Sequence, residues 1–264
     1  MFGNGWLDSN PGESDRNYNC RGLVPRVLES IFNRLEEKAS AAAAFDDDDS
    51  VSLVCSSIYS YSCKCSFYEI YQEKVFDLLD CENSLNISSG LLVRENAQQG
   101  VYVEMCTERI LTSFADTKTV LLLGHQNRRV AETAMNRESS RSHAIFQILI
   151  EISDTNSCDG VIIKRSSKLT MVDLAGSERQ KETLAVASRL KEASKINKSL
   201  STLGRVINAL VSASSSSGNS ATQYVPYRDS KLTFLLRDSL GGNSKVNDAY
   251  YFATWCFKQK IISY

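Results

Sequence analysis

Two polar clusters limit what this chain can fold into. Asn136-Arg137-Glu138-Ser139-Ser140-Arg141-Ser142-His143 runs straight into the apolar stretch Ala144–Ile152, and Asp173-Leu174-Ala175-Gly176-Ser177-Glu178 closes the apolar stretch Lys168–Asp173. Ordinary core sequence does not place so many hydroxyls and charges at the ends of strand-like runs. Asp173 follows Leu169-Thr170-Met171-Val172 and so falls at the carboxyl end of a buried strand, where open α/β sheets gather their ligand-binding residues. An isolated Asp there would read as a helix N-cap or a turn. Followed by Ala175, Gly176 and Glu178, and preceded by the serine cluster, it reads as part of a phosphate-sensing site. Hydroxyls can ligate Mg²⁺ and phosphate, a carboxylate can hold the metal's water, and a glycine lets a backbone N–H approach. An Arg and a Glu can latch the two loops together.

The remaining sequence supports an α/β protein with no strong global field. Lys and Arg number 30 against 31 Asp and Glu, so nucleic acid and membrane surfaces are not expected partners, and an acidic partner must be met by a local patch. No apolar run approaches the ~18 residues of a membrane span, and no basic-then-apolar leader opens the chain, so a soluble intracellular protein is expected. The 8 cysteines then stay reduced. Cys63 and Cys65 alternate on a strand and face one side, but without a second Cys/His pair they read as thiols rather than zinc ligands.

Periodicity predicts a helix at Leu23–Lys38, with Pro25 in its first turn and Val27, Leu28, Ile31, Phe32 and Leu35 at helical spacing. The run Asp46–Asp49 reads as a solvated loop. Cys63–Tyr71 alternates as a strand, Glu73–Asp80 reads as a helix or short turn, and Leu91–Arg94 and Val101–Val103 read as short strands. Ser113–Leu123 is helical in pattern, with Gly124 read as its C-cap. Ser153–Gly160 reads as a polar hairpin between the two strands of the opening paragraph. Ala193–Val211 carries an apolar stripe at Ile196, Leu200, Leu203, Ile207 and Leu210. Ser212–Ser220 reads as a flexible loop, and Ser230–Leu240 as an amphipathic helix stopped by Gly241-Gly242. Strands alternating with helices argue for an α/β sheet.

At the two clusters, and again at Val225-Pro226-Tyr227-Arg228-Asp229-Ser230-Lys231-Leu232-Thr233, the chain resembles the kinesin motor domain, whose switch loops read NxxSSRSH and DLAGSE. The resemblance implies a P-loop NTPase-like α/β fold, a central sheet with helices on both faces. It implies ATP or ADP with Mg²⁺ as cofactor, microtubules as partner, and a place in the cytoplasm on the microtubule cytoskeleton. By resemblance Asp173 holds the water shell of Mg²⁺ and Gly176 contacts the γ-phosphate through its N–H. Ser140 approaches Mg²⁺ and the γ-phosphate, with Ser139 beside it and Asn136 on the nucleotide. Arg141 and Glu178 form the catalytic latch around the attacking water. His143 is expected to support the switch by hydrogen bonding rather than act as a base. Lys195, Lys198, Arg205, Arg228, Lys231 and Arg237 would each read alone as solvated charges. The resemblance assigns Lys198, Arg228 and Lys231 to the microtubule face, with Asn197 coupling their helix to the second switch. Arg21-Gly22-Leu23-Val24-Pro25-Arg26 and the serine cluster are most similar to the spindle and phragmoplast kinesins.

The departures matter as much. No Gly-Lys dipeptide occurs, so the phosphate-cradling GxxxxGK(S/T) loop is absent from these residues, and the chain opens as though just after it. The resemblance covers about residues 1–245, read as a partial motor domain. Val246–Tyr264 is read as a divergent C-terminal segment, and no coiled-coil heptads for dimerisation follow it. Strands expected to be missing from the sheet centre would leave neighbouring edges unpaired, with weak ATP binding and poor solubility as the expected results. A kinesin-like motor is the expected function, and a non-catalytic microtubule-binding module is the alternative. A GTPase-type switch protein is disfavoured because no guanine-reading Asn-Lys-x-Asp occurs.

Overall fold

Runs that are apolar at successive positions, such as Ala144-Ile145-Phe146, need a sheet covered on two faces, and the computed structural model of the chain has one. It describes residues 22–43, 57–80, 90–97, 99–135, 139–156, 161–176, 187–215, 224–241, 244–249 and 253–263. Helix α1 (Leu23–Ala43) precedes strands β1 (Ser57–Tyr71), β2 (Lys74–Asp77), β3 (Val93–Asn96), β4 (Gly100–Val103) and β5 (Arg109–Leu111). Helix α2 (Phe114–Met135), strands β6 (His143–Asn156) and β7 (Ile162–Asp173) and helix α3 (Ala187–Ser215) follow. Short helices α4 (Lys231–Leu235) and α5 (Arg237–Leu240) lead to β8 (Ser244–Ala249) and β9 (Ala253–Ser263). The main sheet has the order β2-β1-β6-β7-β9-β8, with β5 also beside β1, and β3 and β4 form a separate hairpin.

On one face Cys63, Cys65 and Phe67 of β1, Phe146, Ile148 and Ile150 of β6, and Leu169 and Met171 of β7 point into a core. Val24, Leu28, Phe32 and Leu35 of α1 and Leu121 of α2 cover it. Phe67 and Phe146 meet edge-to-face with ring centroids 5.5 Å apart. On the other face Tyr68, Ile70, Ile145 and Val172 pack under Leu91 and Val101 and under Leu232 and Leu235 of α4. Full burial of each such side chain contributes about 1.5–3 kcal/mol. Cys63 and Cys65 are free thiols in the first core, and burial raises them to about 11 and about 12, so both stay protonated.

Several elements differ from the sequence reading. Glu73–Asp80 is neither a helix nor a lone turn. Gln72 and Glu73 take left-handed backbone angles that fold β2 back antiparallel on β1, with Tyr68 opposite Asp77. Gly124 does not cap α2, which runs on to Met135. A Cβ there would overlap the Phe67 ring, so the glycine serves close helix–sheet approach. The hairpin β6–β7 stays paired as far as Thr155 and Ile162, beyond the expected Ser153. Helix α3 reaches Ser215, and its most deeply buried described residues are Ser199, Thr202 and Val206; of the expected stripe Leu203 packs against the second core, Leu200 and Leu210 are half-buried, and Ile207 is exposed. Ser230–Leu240 divides at Leu236 into α4 and α5. The expectation that missing central strands leave neighbouring edges unpaired is overturned at β7. β9 pairs antiparallel along β7 from Ile163–Ser263 to Asp173–Ala253, and β8 pairs with β9 outside it. The Asp46–Asp49 loop and the tip of the serine-rich loop, 216–220, lie outside the described residues.

Candidate nucleotide-switch site and docking face

The register of β6 and β7 builds the site. Ala144 pairs with Asp173, so the start of one strand and the end of the other share an edge, and the polar clusters flanking them meet there. Ser139–Arg141 forms a single 3₁₀ turn ahead of β6, with Ser140 exposed. The Gly176 N–H donates to the Ser140 carbonyl oxygen at 2.8 Å, tying the two loops together. Asn136 and Glu178 lie outside the described residues, and so does the Arg141–Glu178 latch.

His143, the first residue of β6, carries that tie onward. Its Nδ1 accepts the Ala175 N–H at 2.9 Å, which places the ring proton on Nε2, and Nε2–H donates to Ser199 Oγ of α3 at 2.7 Å. Burial, aided by the nearby Arg128 charge, lowers His143 to about 4. The ring is therefore neutral at pH 7, as this donor–acceptor pattern requires. Asn197 is exposed on α3. A link between the Asp173 loop and α3 runs through Ser199, two residues further on.

A buried cation that the sequence reading missed organises the same edge. Arg128 of α2 donates through Nε to Glu69 Oε1 at 3.1 Å and through Nη2 to the Ser142 carbonyl oxygen and hydroxyl at 3.2 and 3.1 Å. Its Nη1 lies 3.5 Å from Asp173 Oδ2, and the Ser142 hydroxyl donates to Glu69 Oε1. Arg128 is 6% exposed and Glu69 1%. The missed signal was Glu69 itself: a carboxylate on the core-facing phase of β1, in step with Cys63, Cys65 and Phe67, demands a buried cation.

The residues fit a Mg²⁺-nucleotide in part. Asp173, with its side chain 35% exposed, and the exposed Ser140 offer the hard oxygen donors that Mg²⁺ takes while keeping several waters. The Gly176 N–H is already satisfied by Ser140 in this state and is not open to a phosphate.

The third block forms a compact cap. Ser230 Oγ accepts the Thr233 N–H, and Thr233 Oγ1 donates back to the Tyr227 carbonyl oxygen at 2.7 Å, starting α4. Arg228 is exposed; its guanidinium lies 4.7 Å over the Phe234 ring and 2.7 Å from Glu95 of β3. The Lys231 N–H donates to Glu73 at 2.8 Å. Lys198 is exposed on α3, next in sequence to the buried Ser199 that His143 holds.

Residues 9–247 match the profile of the Kinesin motor domain family. The chain belongs to the kinesin family. It is 49% identical over 240 residues to "Kinesin-like protein KIF15-B" of Xenopus laevis and 49% identical over 237 residues to "Kinesin-like protein KIF15" of Homo sapiens. Each alignment covers 89% of this chain and 15% of the relative, so the chain spans only a small part of these kinesins' length. Its fold is similar to that of a fast kinesin solved for its "ATPase mechanism and interactions with microtubules", with TM-score 0.64 and 40% identity over 87% of this chain and 56% of that one. It is also similar to KIF14, solved with AMP-PNP in complex with a microtubule, at TM-score 0.66 and 35% identity over 85% of this chain and 57% of that one. The α/β kinesin fold, a central sheet with helices on both faces, is therefore the fold of this chain. No helix among the described residues is long and apolar enough to cross a membrane.

Proposed function

We propose that this chain is the part of a kinesin motor that senses nucleotide at the β6–β7 edge and passes its state to a microtubule-docking face. The whole protein would couple ATP hydrolysis to movement along microtubules. The observation that supports this most is the path from Gly176 to Ser140, and from Ala175 through His143 to Ser199, beside Lys198 on α3. A chain of short hydrogen bonds thus runs from the sensing loops to the helix that carries a docking cation.

In this reading Ser140 and Asp173 would hold Mg²⁺, Asp173 by way of its water shell, and Asn136 and Ser139 would line the nucleotide. Mg²⁺-ATP, when bound, supplies the transferable phosphoryl group and the charge that the loops read. Gly176 can donate to a phosphate only by leaving the Ser140 carbonyl, so the two bonds exclude each other. Movement of the 174–176 segment then pulls on Ala175, and His143 transmits the pull to α3. Arg141 and Glu178 would close the loops over the attacking water. Lys198, Arg228 and Lys231 meet the acidic polymer. The working place is the microtubule cytoskeleton of the cytoplasm.

The test is microtubule-stimulated phosphate release by the whole protein, wild type and Arg141→Ala. Stimulated turnover in the wild type, lost in the variant with an unchanged thermal melt, is the expected result. Equal turnover in both would remove Arg141 from the mechanism, and no stimulation in the wild type would remove the motor reading.

A further inference from the structure

The docking block is electrostatically closed on itself by a residue outside it. Arg228 and Arg237 both reach the carboxylate of Glu95, each at 2.7 Å, and Arg205 pairs with Asp229 at 3.0 Å. Glu95 belongs to the β3–β4 hairpin, far from this block in sequence, and the hairpin's seat on α5 is fixed. Gly100 has φ +72°, and a Cβ there would overlap the Asp238 carboxylate, which accepts the Val101 N–H at 3.0 Å. Glu95 is thus delivered to the two arginines by a rigid clamp rather than by a loose side-chain encounter.

The two arginines are not equivalent. The Arg237 side chain is 28% exposed and also bonds Asp238 at 3.1 Å, whereas that of Arg228 is 69% exposed and, among the described residues, is held otherwise only by the Phe234 ring. If Arg228 swings away, Glu95 keeps Arg237 and no buried charge is stranded. Arg228 is therefore exchangeable between this carboxylate and one supplied from outside.

We propose that Glu95 competes in cis for Arg228 with the carboxylates of an acidic partner, so that the β3–β4 hairpin sets the strength of the docking face. The inference rests on the microtubule-docking reading of Arg228. An exposed ion pair of this kind contributes little, so its removal tightens binding by about two- to five-fold rather than by orders of magnitude.

The test uses the full 264-residue chain, co-sedimented with microtubules and titrated in parallel with fluorescent polyglutamate. Glu95→Gln should bind both probes about two- to five-fold more tightly. Glu104→Gln is the control, because it removes the same charge from the same hairpin but from a pair with Arg94 at 3.0 Å. It should give less than half the gain. In an Arg228→Ala background Glu95→Gln should give none. Unchanged or weaker binding by Glu95→Gln, an equal gain from Glu104→Gln, or a gain that persists without Arg228 would each overturn the proposal. If Glu95→Gln lowers the melt, Glu95→Asp draws the carboxylate back while keeping its charge, and the same directions apply. If no form sediments with microtubules while polyglutamate binding still tightens in Glu95→Gln, the competition stands and the microtubule reading fails.

Discussion

Removing the Arg128 guanidinium is the perturbation with the largest expected effect on the fold. Arg128→Ala removes the guanidinium that pairs with the Glu69 carboxylate, 1% exposed, and strips the Ser142 carbonyl oxygen of a charged donor. Breaking a buried pair by deleting one member costs about 3–5 kcal/mol, because the remaining charge is stranded in a low dielectric. Domains of this kind are stable by about 5–15 kcal/mol, so the loss is about a fifth of the total or more. The double change Arg128→Met with Glu69→Gln removes both charges and should recover most of it, since the stranded charge, not the lost attraction, dominates the cost. Urea unfolding of the chain, wild type, single and double variants, reads this as midpoint shifts at constant slope. A single-variant loss below about 1 kcal/mol, or a double variant as unstable as the single, would refute the reasoning.

Stability should also fall with acid through His143. Its pKa is lowered to about 4 from an ordinary 6.5, so the unfolded chain binds the proton first. The contribution is complete above pH 6.5 and is lost as pH falls toward 4, by about 3 kcal/mol at about 1.4 kcal/mol per unit. A His143→Gln chain should show a flatter pH–stability curve over that window, and equal slopes would rule out the assignment. Gly124→Ala should destabilise by about 1–3 kcal/mol through overlap with Phe67, read as a lower melting temperature; a neutral or stabilising result would mean that the helix is not pressed on the sheet there. A fluorescent ATP analogue should bind the 264-residue chain weakly, because it carries no GxxxxGK(S/T) sequence; micromolar affinity would show that other residues cradle the phosphates.

The edge formed by β6 and β7 was legible because it is local and periodic. Two apolar runs, each abutting a polar cluster, can place those clusters together only by pairing in the register that puts Ala144 opposite Asp173. What stayed illegible depends on partners distant in sequence. Gly124 carries the same letter whether it ends a helix or lets one approach a phenylalanine, and only Phe67, far along the chain, decides. The deepest positions of α3 include hydroxyls, Ser199 and Thr202, that bond as they pack, so hydropathy found Leu203 against the core but wrongly added Ile207. The role of β9 beside β7 followed from neither resemblance nor hydropathy, because a free edge accepts any strand that can complete its ladder. Arg228 was legible as a surface cation, but its partner Glu95 was not, since an exposed pair leaves no mark in either segment's pattern.

The central claim is that this chain presents a cationic face to microtubules, and salt-dependent co-sedimentation tests it most directly. The wild-type chain and a Lys198→Ala, Arg228→Ala, Lys231→Ala triple variant are to be sedimented with microtubules across rising ionic strength. Exposed charges are screened within about 8–10 Å at physiological salt, so wild-type binding should weaken steadily as salt rises. The triple variant should bind far less at low salt and show a shallower dependence. Binding indifferent both to salt and to the three substitutions would contradict the account.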